Sequence, residues 1–256
     1  LAETPVAMYF CPSRRGLTQN PANSRWLMDY GALTPGPARS QIGEPNGQLH
    51  FTRSNDEAKY DEMMAGMGCL TREADPRGRQ YFWGVISAYG HITIGTSGHD
   101  PVTNPTRFYD YYGVIVRSSY FVKDGTGQSD NPETSDLNTV KPVTYRRITD
   151  GTSKTAVLGE KRIGIEIYAG NTTADDAGWS DGWDYDTMRS TMCPPLPDSG
   201  KLQPQGDALL TPGAAHSGVF QVAFADGSVH GMAYDIDQET FNRMGHRSDG
   251  ETVNIP

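Results

Sequence analysis

The sequence predicts an α+β fold built on an antiparallel β-sheet with long loop insertions. First, β-prone runs come in consecutive groups with few helical runs between them. Second, Asp226-Gly227 stands between two apolar runs, Val219 to Ala225 and Ser228 to Tyr234, which is the strongest short hairpin signal. Third, 29 glycines and 17 prolines in 256 residues, with 21% charged residues, describe a loop-rich globular chain and not a disordered one. The length suits one domain over residues 1–256, with 53–80 and 170–205 as loop-rich insertions.

Taken in order, Val6 to Cys11 reads as a first strand closed by Pro12-Ser13-Arg14-Arg15. A short helix is predicted from Glu57 to Ala65, with Met63, Met64 and Met67 packing it onto the body. Tyr81 to Ile94 and Arg107 to Val122 are aromatic and β-branched, with two or more strands expected in each. Tyr145 to Ile148 is a further candidate strand, Asp150 a cap for a helical turn over Thr152 to Thr155, and Ala156 to Lys161 the next strand. Residues 170–205 read as loop almost throughout. A short helix from Asp237 to Met244 ends at Gly245, as a helix C-cap would.

The hairpin fixes what its own residues can do. With Asp226 and Gly227 as a two-residue primed turn, Phe224 faces Val229 and Phe220 faces Ala233. At roughly 3.3 Å per residue, an extended strand puts His216 about 30 Å from Asp226, so the two cannot act as a catalytic pair. Asp226 and Gly227 are read as turn formers. His216 is expected to pin the far end through Asp235, Asp237 or a backbone carbonyl.

A net charge of -9 argues against a nucleic-acid or anionic-membrane surface, since both need concentrated Lys and Arg. No apolar run is long enough to span a membrane. Cys11, Cys69 and Cys193 contain no C-x-x-C pair, which removes the common zinc frameworks. One disulfide with one free thiol and three free thiols both stay open.

Trp179, Asp181, Trp183, Asp184, Tyr185, Asp186 and Arg189 form the candidate ligand-binding cluster. Aromatic faces stack on sugars while carboxylates and a guanidinium bind hydroxyls, so carbohydrate or another small polar solute is the implied ligand. The competing reading makes Trp179 and Trp183 anchors of a long loop, with Arg189 paired to a nearby Asp. Asp124, Asp130, Asp175 and Asp176 are candidate ligands for Ca²⁺, which takes six to eight oxygens, although no EF-hand pattern is present. No zincin, Walker or dinucleotide motif occurs, so catalysis is not expected. Glu160, in an apolar strand, is expected to be buried and paired with Arg146, Arg147 or Arg162.

Segments spread over nearly the whole chain resemble a bacterial family named for its H-X9-DG motif and associated with prepilin-type processing. They are FCPSRRG (residues 10–16), MDYGALTPG (28–36), RITDGTSKTAVLGEKR (147–162), GWSDGWDYDTMR (178–189), and AHSGVFQVAFADGSVH with the tail TFNRMGHRSDGE. The resemblance implies the soluble head of a type IV pilin-like or pseudopilin-like protein. Its N-terminal membrane-anchoring helix would precede Leu1, and the head would lie on the periplasmic or extracellular face of the cell envelope. The same family carries a solute-binding label. The resulting expectation is a non-enzymatic assembly or binding protein, with pilus- or secretion-type subunits as partners. A solute- or glycan-binding protein that uses the Trp/Asp loop is the alternative, and a hydrolase a distant third.

Overall fold

The computed structural model describes residues 4–36, 38, 112–116, 143–170, 175–181, 185–199, 210–251 and 253–255. The helix expected at 57–65, the strands at 81–94 and most of those at 107–122 lie outside them. Five strands form one sheet: β1 (Tyr30–Thr34), β2 (Ala156–Glu160), β3 (Met188–Ser190), β4 (Val219–Phe224) and β5 (Val229–Ala233), in the order β3-β1-β2-β4-β5. The β1–β2, β2–β4 and β4–β5 pairs are antiparallel, whereas β1 and β3 run parallel. The sheet is therefore mixed, which corrects the antiparallel expectation. β3 also lies inside a stretch read as loop. A three-residue strand has no periodicity to betray it, and it exists because β1 offers an edge to pair with.

One face of the hairpin builds the core. Phe220, Val222 and Phe224 alternate inward from β4 and meet Met232 from β5. Across them lies α1 (Gln238–Gly245), the one α-helix among the described residues, which contributes Phe241 and Met244. Phe220 and Phe241 meet edge to face at 5.6 Å. Burying each such ring contributes about 2 to 3 kcal/mol. The Asp237 carboxylate caps α1 by accepting from the Thr240 N–H at 2.8 Å.

Local expectations fail where pairing or a distant partner decides. Residues 6–11 contain a 3-10 turn at Ala7–Tyr9, and Tyr145–Arg147 is a second, not a strand. β-propensity without a ladder partner does not make a strand. The Asp150 carboxylate does not cap the following turn. It accepts from the Asp249 and Gly250 N–H groups, at 2.6 and 3.1 Å, and ties down the C-terminal tail.

The hairpin register differs by one residue from the two-residue turn. Ala223 pairs with Val229 and Phe220 with Met232. The Phe224 N–H donates to the Ser228 carbonyl, so Ala225, Asp226 and Gly227 form a three-residue loop. Gly227 alone takes positive φ, +88°, as a turn followed by a left-handed residue requires. The Asp226 side chain accepts from the Ser228 N–H and hydroxyl, and these bonds hold its carboxyl below the usual range.

Candidate functional site

Two side-chain clusters meet beside the end of β2. The first is a network of buried charges. The chain after Cys11 turns tightly, with the Arg14 and Arg15 N–H groups both donating to the Cys11 carbonyl, and both guanidiniums point inward. Arg14 donates to Asp198 at 2.7 Å and to the Lys161 and Gly213 carbonyls. Arg15 grips Asp175 through two nitrogens, at 2.5 and 2.9 Å, and Asp29 through Nε at 2.8 Å. Lys161, fully buried, donates to Asp175 at 3.2 Å and to the Asp186 carbonyl at 2.8 Å.

Burial works against the charge of Arg14, but Asp198 and Asp29 outweigh it. Burial likewise opposes ionisation of Asp175, yet Lys161 and Arg15 hold its carboxyl below the usual range. Asp186 is the exception, because burial pushes its carboxyl up. Its Oδ1 accepts from the Asp176 and Ala177 N–H groups, while Oδ2 has no hydrogen-bond partner.

The second cluster is Cys11, Glu160 and His216. Glu160 ends β2 and is 1% exposed; its Oε2 accepts from the Gln221 N–H at 2.8 Å. Its Oε1 lies 3.5 Å from His216 Nε2, and Cys11 Sγ lies 3.8 Å from that same nitrogen. Glu160 is thus set against His216 and a strand N–H, not against Arg146, Arg147 or Arg162 as expected. The expectation for His216 also changes. Its imidazole faces Glu160 and Cys11 rather than Asp235 or Asp237, and it is the His216 carbonyl that accepts from the Tyr234 hydroxyl at 2.8 Å.

This is not the arrangement of a cysteine nucleophile. A base-activated thiol needs one imidazole nitrogen for sulfur and the other for the orienting carboxylate. Here Nε2 faces both. Burial also pushes the Cys11 thiol up, and Glu160 adds to that rise. The three side chains do present one ligand atom each, all within 4.8 Å of one another.

The residues singled out in the sequence are dispersed. Trp179 and Asp181 share a partly exposed 3-10 turn, where Trp179 Nε1 donates to the Thr4 carbonyl and Asp181 pairs with Arg25. Tyr185, Asp186 and Arg189 are interior, at 4%, 0% and 0% exposure. Arg189 donates to the Tyr185 and Met188 carbonyls rather than to a carboxylate. Asp175 belongs to the charge network, and Asp176 receives Asn20 and Asn23 on its carbonyl. Trp183, Asp184, Asp124 and Asp130 lie outside the described residues. Asp226 borders a surface hollow of about 350 Å³ shared with Lys154 and His230, at the opposite end of β4 from His216.

Cys11, Arg14, Arg15, Asp29 and Lys161 were not picked out as site residues. The available signal was adjacency: an Arg-Arg pair after Cys-Pro, and Glu-Lys ending an apolar strand. Of the cysteines, Cys193 is disulfide-bonded and Cys11 is free, so a disulfide with a free thiol is the arrangement found.

Neither a curated protein nor a solved structure matches the chain. A family model described as "Protein of unknown function (DUF1559)", whose short name SBP_bac_10 carries the solute-binding label, matches residues 1–239. Cys11, the Arg14/Arg15 pair, Glu160 and His216 all fall within that span, and the chain belongs to this family.

Proposed function

We propose that the chain is the non-enzymatic, pseudopilin-like head of a cell-envelope protein and that it works by assembling with a neighbouring subunit through the β5 edge. The observation that carries this reading is the state of that edge. Phe224 and Ser228 form a hydrogen-bonded pair, so by the antiparallel alternation the N–H and C=O groups of Val229, Gly231 and Ala233 turn away from β4. β5 has no neighbour beyond it among the described strands. Its sequence, VHGMA, contains none of the Lys or Pro residues that blunt free edges. The outward face beside it is apolar, with Leu158, Val219 and Val229 exposed.

Sedimentation velocity of the parent and of Val229→Lys tests this. The parent should associate as concentration rises, while the variant, altered at a side chain 60% exposed, should stay monomeric with unchanged melting temperature. A parent that remains monomeric throughout, or a variant that associates equally well, rejects the reading. A second reading, glycan or solute binding, is favoured by the partly exposed turn holding Trp179 and Asp181. It predicts a sugar-dependent fluorescence change that Trp179→Ala abolishes.

A further inference from the structure

We propose that Cys11, Glu160 and His216 form a binding site for a zinc-class transition-metal ion, with the fourth coordination position open to solvent beside His216.

Zn–S, Zn–N and Zn–O bonds of about 2.3, 2.0 and 2.1 Å at tetrahedral angles put sulfur and nitrogen ligands about 3.5 Å apart, and nitrogen and oxygen about 3.4 Å apart. The observed separations are 3.8 Å for Cys11 Sγ to His216 Nε2 and 3.5 Å for Nε2 to Glu160 Oε1. Two of the three ligand–ligand edges are thus present to within a few tenths of an ångström, and the third, sulfur to oxygen, is no longer than 4.8 Å. One cation centred among the three atoms would take a lone pair from each of them.

Each ligand is also held from behind, as metal ligands are. The Cys11 N–H donates to Asp29 Oδ2 at 2.7 Å, and Asp29 is itself fixed by Arg15. Glu160 Oε2 is held by the Gln221 N–H, leaving Oε1 for the site. The His216 backbone is held by the Tyr234 hydroxyl. Cys11 and Glu160 are buried at 2% and 1%, whereas the His216 side chain is 33% exposed, so water and metal reach the site from the imidazole side. Sulfur and imidazole select zinc, cobalt or copper over calcium and magnesium, which take oxygen. A thiolate and a carboxylate balance one divalent charge. The free state of Cys11, in a chain that forms a disulfide at Cys193, is what a metal ligand requires.

The test uses tag-free chain kept in mild reductant, titrated with Zn²⁺ against a chromophoric chelator and, in parallel, with Co²⁺. The expected result is one equivalent of Zn²⁺ and a thiolate-to-cobalt charge-transfer band. His216→Ala should bind at least about 100-fold more weakly, a loss no smaller than that of a supporting residue. Cys11→Ser should lose the charge-transfer band, and excess Ca²⁺ should not compete. If Cys11→Ser fails to fold, His216→Ala decides alone, because that side chain is partly exposed. A parent without stoichiometric uptake, or a His216→Ala variant with parental affinity, overturns the site. Neither result bears on association through β5.

Discussion

At the scale of the residue, two aspartates eleven positions apart have opposite roles. Asp175 is held by two cations, Arg15 and Lys161, so Asp175→Asn removes the buried carboxylate that both face and leaves Arg15 to Asp29. The expected loss is about 3 to 5 kcal/mol in denaturant unfolding. Asp186 accepts two backbone N–H groups on one oxygen and leaves the other unsatisfied. Asn keeps the acceptor and removes a carboxyl that burial already drives towards its neutral form. Asp186→Asn should therefore be neutral or stabilising, and a loss comparable to that of Asp175→Asn would contradict the assignment. No composition argument separates these two residues. Their roles follow from partners up to 160 positions away, which is why the cluster they belong to reads in sequence as a shallow acidic site.

Elements defined by their own residues were legible, and elements defined by partners were not. The hairpin, the short helix α1 and β2 can each be read within a window of a dozen residues, although Asp237 is the N-cap of α1 rather than its first residue and His246, not Gly245, is the C-cap. β1 and β3 cannot, because YGALT and MRS become strands only by pairing with each other and with β2. The register error shows the same limit on a smaller scale. Asp-Gly marks the turn but does not say whether Ala225 belongs to the loop, and that choice moves every pair by one. The loop found makes a definite demand on Gly227, whose φ of +88° penalises any side chain. Gly227→Ala should cost about 1 to 2 kcal/mol. Asn, which tolerates this region, should cost less, and equal losses for the two variants would point to something other than backbone strain.

For the molecule as a whole, acid stability should be governed in part by His246, buried at the junction of α1 with Gly36. Nε2–H donates to the Gly36 carbonyl at 2.7 Å, and burial lowers the pKa from 6.5 to about 4. Between those values the unfolded chain takes up a proton that the folded chain refuses. Stability is therefore greatest above pH 6.5 and falls as the pH drops towards 4, by about 3 kcal/mol from this group. Asp249, pushed up to about 6 by burial and by Asp150, contributes with the opposite sign. The clean measurement is therefore a difference: urea unfolding of parent and His246→Gln across pH 7 to 4.5. The parent should show the steeper decline, and parallel curves would remove His246 from the account. The sheet has a further consequence at this scale. β1 and β2 are neighbours although Thr34 and Ala156 bracket a long stretch of chain, and doubling the length of such a closure adds only about 0.6 kcal/mol. Chain-closure entropy therefore sets little limit on the length of that stretch, so insertions there need only spare the anchors it supplies, Gly36 under His246 and Asp150 against Asp249 and Gly250.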